Sequence, residues 1–427
     1  MMNDKEFAVF NDYESKVRSY CRKFPAKWET AKGAYIFDVN GKKYLDFFCG
    51  AGSLNYGHNN AYIKNKVISY MLDDGITHAM DMFTKAKGDF IQYMEESVLK
   101  PRGLDYKIMF PGPTGTNAME AALKLARKVT GRSNVFALMG CFHGMTLGTL
   151  ALTTERMARD GAGVPLGNVT HIPAPYMFEN LDTIEYMERI IEDDHSGIEK
   201  PAALVVETTQ AEGGIYPLSN NWLKRAREFC SKNDILLIFD EIQVGCARTG
   251  TYFAFERSGV TPDIFCMAKS IGGMGLPFAL TLFKPEYDIW RPGEHNGTFR
   301  GFQPAMIAAK ASLEYMLENN IEEEVKRKSV IVEDILAKEI KNIDPRLKYR
   351  GLGLMWGIDF VDFPDETALK CSRECFENGM IIELAGRKDA VLKLMPPLTI
   401  DDEELRLGLE IILNAVRKVI KKLNKEM

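Results

Sequence analysis

Two short apolar runs constrain this chain more than any other feature: Ile235-Leu-Leu-Ile-Phe-Asp240 and Ile264-Phe-Cys-Met-Ala-Lys269. Neither alternates polar with apolar residues, so each reads as a strand buried on both faces, as in a parallel sheet covered by helices. Further runs from Asn134 to Met139, Ala203 to Glu207 and Ala279 to Phe283 are interleaved with helical patterns such as Ser219 to Lys232. This alternation predicts an α/β fold with a mainly parallel sheet. Ligands of such sheets bind beyond the carboxyl ends of the strands, which places Asp240 and Lys269 at one edge.

A carboxylate and an amine at one edge suit pyridoxal phosphate. Its aldehyde needs a lysine for a Schiff base, and its ring nitrogen needs a carboxylate to stay protonated. A third element is Phe110-Pro-Gly-Pro-Thr-Gly-Thr-Asn117, followed by apolar Ala118, Met119, Ala122, Leu123, Ala126 and Val129 on one helical face. A helix opening on a glycine turn offers free N–H groups to a phosphate, and the hydroxyls of Thr114 and Thr116 are candidate donors beside Gly115. Phe142, in Cys141-Phe-His-Gly144, offers an aromatic face to a pyridine ring, and His143 beside it is a candidate for the substrate side.

With these motifs in place, the chain resembles the class III (omega) aminotransferases of the fold type I pyridoxal phosphate enzymes. The resemblance runs nearly end to end, through Gly41-Lys-Lys-Tyr-Leu-Asp46, Leu54-Asn-Tyr-Gly-His58, Glu207-Thr-Thr-Gln-Ala-Glu212, Asp240-Glu-Ile-Gln243, Arg248-Thr-Gly250, Gly297-Thr298-Phe-Arg300 and Pro396-Pro-Leu398. It implies a large domain with a mainly parallel sheet over residues 66–303 and a small α+β domain. Residues 1–65 and 304–427 would form the small domain, the latter including a connecting helix.

The resemblance also implies roles. Lys269 would be the Schiff-base lysine and proton carrier, Asp240 the partner of the ring nitrogen, and Gln243 that of the ring hydroxyl. Gly115 and Thr116 match the phosphate turn. Thr298 matches a threonine that contacts the phosphate held by a neighbouring subunit, so at least a dimer with shared active sites is implied. Glu212 matches a glutamate that masks the arginine for the substrate α-carboxylate. Here that arginine is replaced by Lys393, a point charge without the planar fork. Ala51 stands where ornithine-type members carry a tyrosine. Phe110-Pro-Gly-Pro-Thr-Gly-Thr-Asn117 and Phe142-His-Gly-Met-Thr-Leu-Gly148 are similar to the branch of the family that makes diaminobutyrate on the way to ectoine. This implies L-glutamate as amino donor and aspartate semialdehyde as acceptor. Alternatives are another omega-amine (ornithine, 4-aminobutyrate or a siderophore-linked diaminobutyrate), an aminomutase, or a non-catalytic cofactor-binding protein.

Composition narrows the classes. With 427 residues, 46% of them hydrophobic, a large core is expected. The net charge of −5 and the lack of a basic block argue against a nucleic-acid partner. Met1 to Glu6 shows no apolar leader, and no stretch approaches the ~18 residues of a membrane span. The cytoplasm is therefore expected, without a membrane partner. Eight cysteines in apparently buried segments read as small hydrophobes of a reducing compartment, Cys371 and Cys375 included. No metal site is expected, since His58, His78, His171, His195 and His295 lack ligand spacing.

Overall fold

The computed structural model describes residues 7–426, so Met1 to Glu6, read above for a leader, lie outside the described residues. A seven-stranded sheet forms the centre. Its order is Lys107–Met109, Leu280–Phe283, Ile264–Met267, Leu236–Asp240, Ala203–Val206, Val135–Leu138 and Val169–Ile172. The four strands from Leu236 to Ile172 and their neighbour Ile264–Met267 pair in parallel. The apolar runs do become strands buried along their whole length.

Leu280–Phe283 departs from the parallel pattern, pairing antiparallel on both sides. The chain between Met267 and Leu280 forms only a short 3-10 turn, Lys269–Gly272, and no crossover helix to carry it back to the other end of the sheet. The helix Gly115–Thr130 covers this region. Ala118, Met119, Ala122, Leu123 and Ala126 are buried, while Val129 is only partly so. Thr114 caps it, its Oγ1 accepting from the N–H of Asn117, and Gly131 ends it at φ +68.

The N-terminal region carries a small sheet of its own. Trp28–Lys32, Tyr35–Asp38 and Lys43–Asp46 form three antiparallel strands, and Met380–Ile381 adds a parallel fourth. Trp28–Lys32 is a half-exposed edge strand without alternation, which left it silent in the sequence. The helical region after Pro304 divides into Gln303–Glu318 and Ile321–Ile343 at Asn320, which is left-handed at φ +48. A second antiparallel sheet runs Lys348–Leu352, Met355–Asp359, Val391–Leu394, Glu383–Ala385, and the helix Asp402–Glu426 closes the chain. Seven cysteines are buried and Cys21 is exposed, a correction to the expectation for all eight. Among the described residues no helix is long and apolar enough to cross a membrane. His195 stands with Asp193 and Asp194 in a fully exposed group, an arrangement common without an ion.

Candidate active site

Asp240 and Lys269 reach one cavity of about 440 Å³, within the range of small-molecule sites. Asp240 ends its strand, buried, and its Oδ1 accepts from the N–H of Ile242 at 3.0 Å. Its Oδ2 lies 2.7 Å from Nδ1 of His143, whose side chain is wholly buried. His143 therefore backs the aspartate while also lining the cavity. Burial works against the charged ring, but the Cys141 sulfur and Asp240 outweigh it and raise its pKa well above the ordinary value.

Lys269 lies two residues past its strand at φ +55. Left-handed backbone on a residue other than glycine costs roughly 1–3 kcal/mol and is kept where surroundings fix it, most often at functional sites. Burial lowers the pKa of its amine, with Lys393 adding to the effect and Glu212, Glu383 and Asp240 opposing it. A less protonated amine is the form that can add to a carbonyl.

Gly115, Thr116 and Phe142 also line the cavity. The first-turn N–H groups of the helix have no carbonyl partner within it and are available to an anion. The two hydroxyls proposed as donors are already engaged. That of Thr114 caps the helix and donates to Asn117 Oδ1 at 2.8 Å. That of Thr116 joins Thr149 at 2.6 Å and Thr146 at 3.0 Å, and Thr146 donates to Glu120. Gly144 is required by this cluster: a Cβ there would sit 2.3 Å from Thr116 Oγ1. The Phe142 N–H donates to Glu207 Oε1 at 3.0 Å, and Glu207, buried beside Asp240, is pushed up to about 7 mainly by burial.

Glu212 also lines the cavity and meets Lys393 Nζ at 2.5 Å. Burial opposes its charge, but Lys393 and Lys269 outweigh that and hold it down at about 2. Gln243 lines the cavity too. Its amide donates to Glu212 Oε1 at 3.0 Å and to the carbonyl of Ala51 at 2.9 Å. Ala51 thus enters through its backbone carbonyl, and its side chain is not part of the cavity lining. Lys393 is wholly buried behind Glu212. Thr298 is exposed and lies outside the lining of this chain's own cavity, its carbonyl 2.6 Å from His78 Nε2.

Glu383 and Tyr20 escaped the sequence reading. Glu383 pairs with Lys393 at 2.8 Å and accepts the Tyr20 hydroxyl at 2.9 Å. Its signal was a lone carboxylate inside Met380-Ile-Ile-Glu-Leu-Ala385, where burial demands a partner. The set of an amine of lowered pKa, a strand-end carboxylate, an aromatic face and a helix N-terminus fits pyridoxal phosphate on chemistry alone.

Residues 18–416 match the family model for class III aminotransferases. Over 422 residues the chain is 49% identical to the diaminobutyrate–2-oxoglutarate transaminase of Halalkalibacterium halodurans, covering 98% of each. The protein of the same name from Nocardia farcinica is 50% identical over 416 residues, covering 97% of this chain and 95% of that one. Among solved structures, the ornithine aminotransferase of Toxoplasma gondii, with pyridoxal phosphate at partial occupancy in its active site, superposes with a TM-score of 0.85. It is 26% identical, over 98% of this chain and 95% of that one.

Proposed function

Because the chain belongs to the class III aminotransferase family, we propose that it moves the amino group of L-glutamate to the aldehyde carbon of L-aspartate 4-semialdehyde. The products are L-2,4-diaminobutyrate and 2-oxoglutarate, and the reaction is the first step toward ectoine in the cytoplasm. Its cofactor is pyridoxal 5'-phosphate, which when bound supplies an electron sink for carbanion character at the substrate carbon.

The residues divide the remaining work. Lys269 holds the cofactor and then moves a proton at the substrate carbon, for which its lowered pKa suits it. Asp240, fixed by His143, keeps the ring nitrogen protonated. Phe142 covers a ring face, Gln243 serves the ring hydroxyl, and Gly115 and Thr116 present N–H groups to the phosphate. Thr298, exposed on this chain, would serve the phosphate bound by a second copy, so at least a dimer is proposed.

The observation that carries the substrate reading is the ion pair of Glu212 with Lys393 at the cavity wall. Glutamate brings a carboxylate on its reacting carbon; the semialdehyde brings none there. A carboxylate that covers a cation, and moves aside for another carboxylate, serves both. Assaying glutamate against a panel of amino acceptors tests this. Aspartate semialdehyde should be the best acceptor, and preference for the ornithine- or 4-aminobutyrate-derived semialdehydes would replace it.

A further inference from the structure

Lys393 carries two carboxylates, and they differ in freedom. Glu212, 2.5 Å from Nζ, has a side chain 31% exposed at the cavity, whereas Glu383, 2.8 Å from the same Nζ, is 3% exposed. The second pair is built into the sheet. Glu383 and Lys393 stand opposite each other across antiparallel strands, and the remaining oxygen of Glu383 is held by the Tyr20 hydroxyl. Among the described residues, Glu212 has only Gln243 as a second side-chain partner, in a segment following the two-residue strand Thr209–Gln210.

One cation shared by two anions has two physical consequences. The anions repel each other, which loosens the one free to move. When it leaves, the buried cation still has a partner, and the large cost of an unpaired buried charge never arises.

We propose that Glu383 is a fixed counter-ion that sets the substrate switch of this site. It keeps Lys393 paired while Glu212 moves aside for the α-carboxylate of glutamate and returns for the aldehyde. This rests on the amino exchange proposed above. Glu383 acts through Lys393 and Glu212 and does not touch substrate, so it is a positioning residue. The charged groups facing the Lys393 ammonium are Glu212, Glu383 and, further into the cavity, Lys269.

Glu383→Gln in the holoenzyme is the test, with the two half-reactions followed separately in single turnover. The glutamate half-reaction, which requires Glu212 to move, should slow tenfold or more. The aldehyde half-reaction, which runs with Glu212 in place, should change less than threefold. Lys269 also loses a nearby anion, so without any substrate the visible band of the bound cofactor should titrate at lower pH. Glu383→Asp, which keeps the charge, should recover much of both effects, and a melting curve checks that the variants fold. An unchanged glutamate half-reaction, equal losses in both halves, or an unshifted midpoint would overturn the proposal. If wild-type enzyme took no amino group from glutamate, the donor reading would fall, while the substrate-free midpoint would still report whether Glu383 sets the charge beside Lys269.

Discussion

The cavity has two walls built on different principles. The cofactor wall hangs on strand ends: Asp240 closes its strand and Lys269 lies two residues beyond the parallel neighbour, with Asp240 in register with Cys266. The substrate wall is made of residues brought together from afar, Glu212 and Lys393 being 181 positions apart. The first needs only that a sheet form; the second needs two sheets to meet correctly. On the function proposed above, the cofactor chemistry would therefore be held by local geometry, and substrate selection by tertiary contacts that can be exchanged without disturbing the sheet.

The contrast predicts that damage to the cofactor wall removes catalysis for every substrate. Lys269→Ala should cost at least about 10⁴-fold in turnover with any donor, as loss of a covalent nucleophile does, and abolish the visible band of the bound cofactor. Activity persisting with that band intact would remove Lys269 from its role. Asp240→Asn should fold yet lose on the order of 10²-fold in both half-reactions alike, because a preorganised charge at the ring nitrogen is lost. A loss confined to one half-reaction would blur the division between the walls.

The two walls were also unequally legible in the sequence. Unbroken apolar runs announced the strands and hence Asp240 and Lys269, and a threonine before a glycine announced the helix at Gly115. The reversed strand Leu280–Phe283 could not be told from a parallel one, because burial on both faces looks the same in either direction. The contact of His143 with Asp240 was hidden because the two lie 97 residues apart, and the engagement of the Thr116 hydroxyl because Thr146 and Thr149 approach only in the fold. On the substrate wall, Glu212 and Lys393 came from resemblance, and Glu383 and Tyr20 from the structure alone.

Lys393→Ala separates the walls from the other side. It leaves Glu383 buried and without its cation, so the fold should lose about 3 kcal/mol or more, the scale of a broken buried pair. Beyond that, the glutamate half-reaction should weaken by about 2 kcal/mol, or roughly 30-fold, and the aldehyde half-reaction by less. Equal losses in the two halves, at a temperature where the variant is folded, would make Lys393 purely structural.

The smallest effect expected is in acid. Glu212 is held at about 2 in the folded chain, below the ordinary glutamate value. A carboxylate depressed on folding adds stability above its unfolded pKa, near 4.3, and that contribution disappears as pH falls through the folded value. Glu212→Gln removes the titration while keeping the shape. Wild type should therefore exceed the variant in denaturant-unfolding free energy at pH 6, and the gap should close between about pH 4.5 and 2. The gap should not exceed about 2 kcal/mol, because the side chain is 31% exposed and water screens it. His143 and Glu207 push the other way: their folded pKa values are raised, so their contributions are present in acid and fade as pH climbs through those values. They are common to both proteins and cancel in the difference. A gap independent of pH would mean that Glu212 is held by shape and not by the charge of Lys393, and the substrate wall would then lack the loosely held carboxylate on which its switching depends.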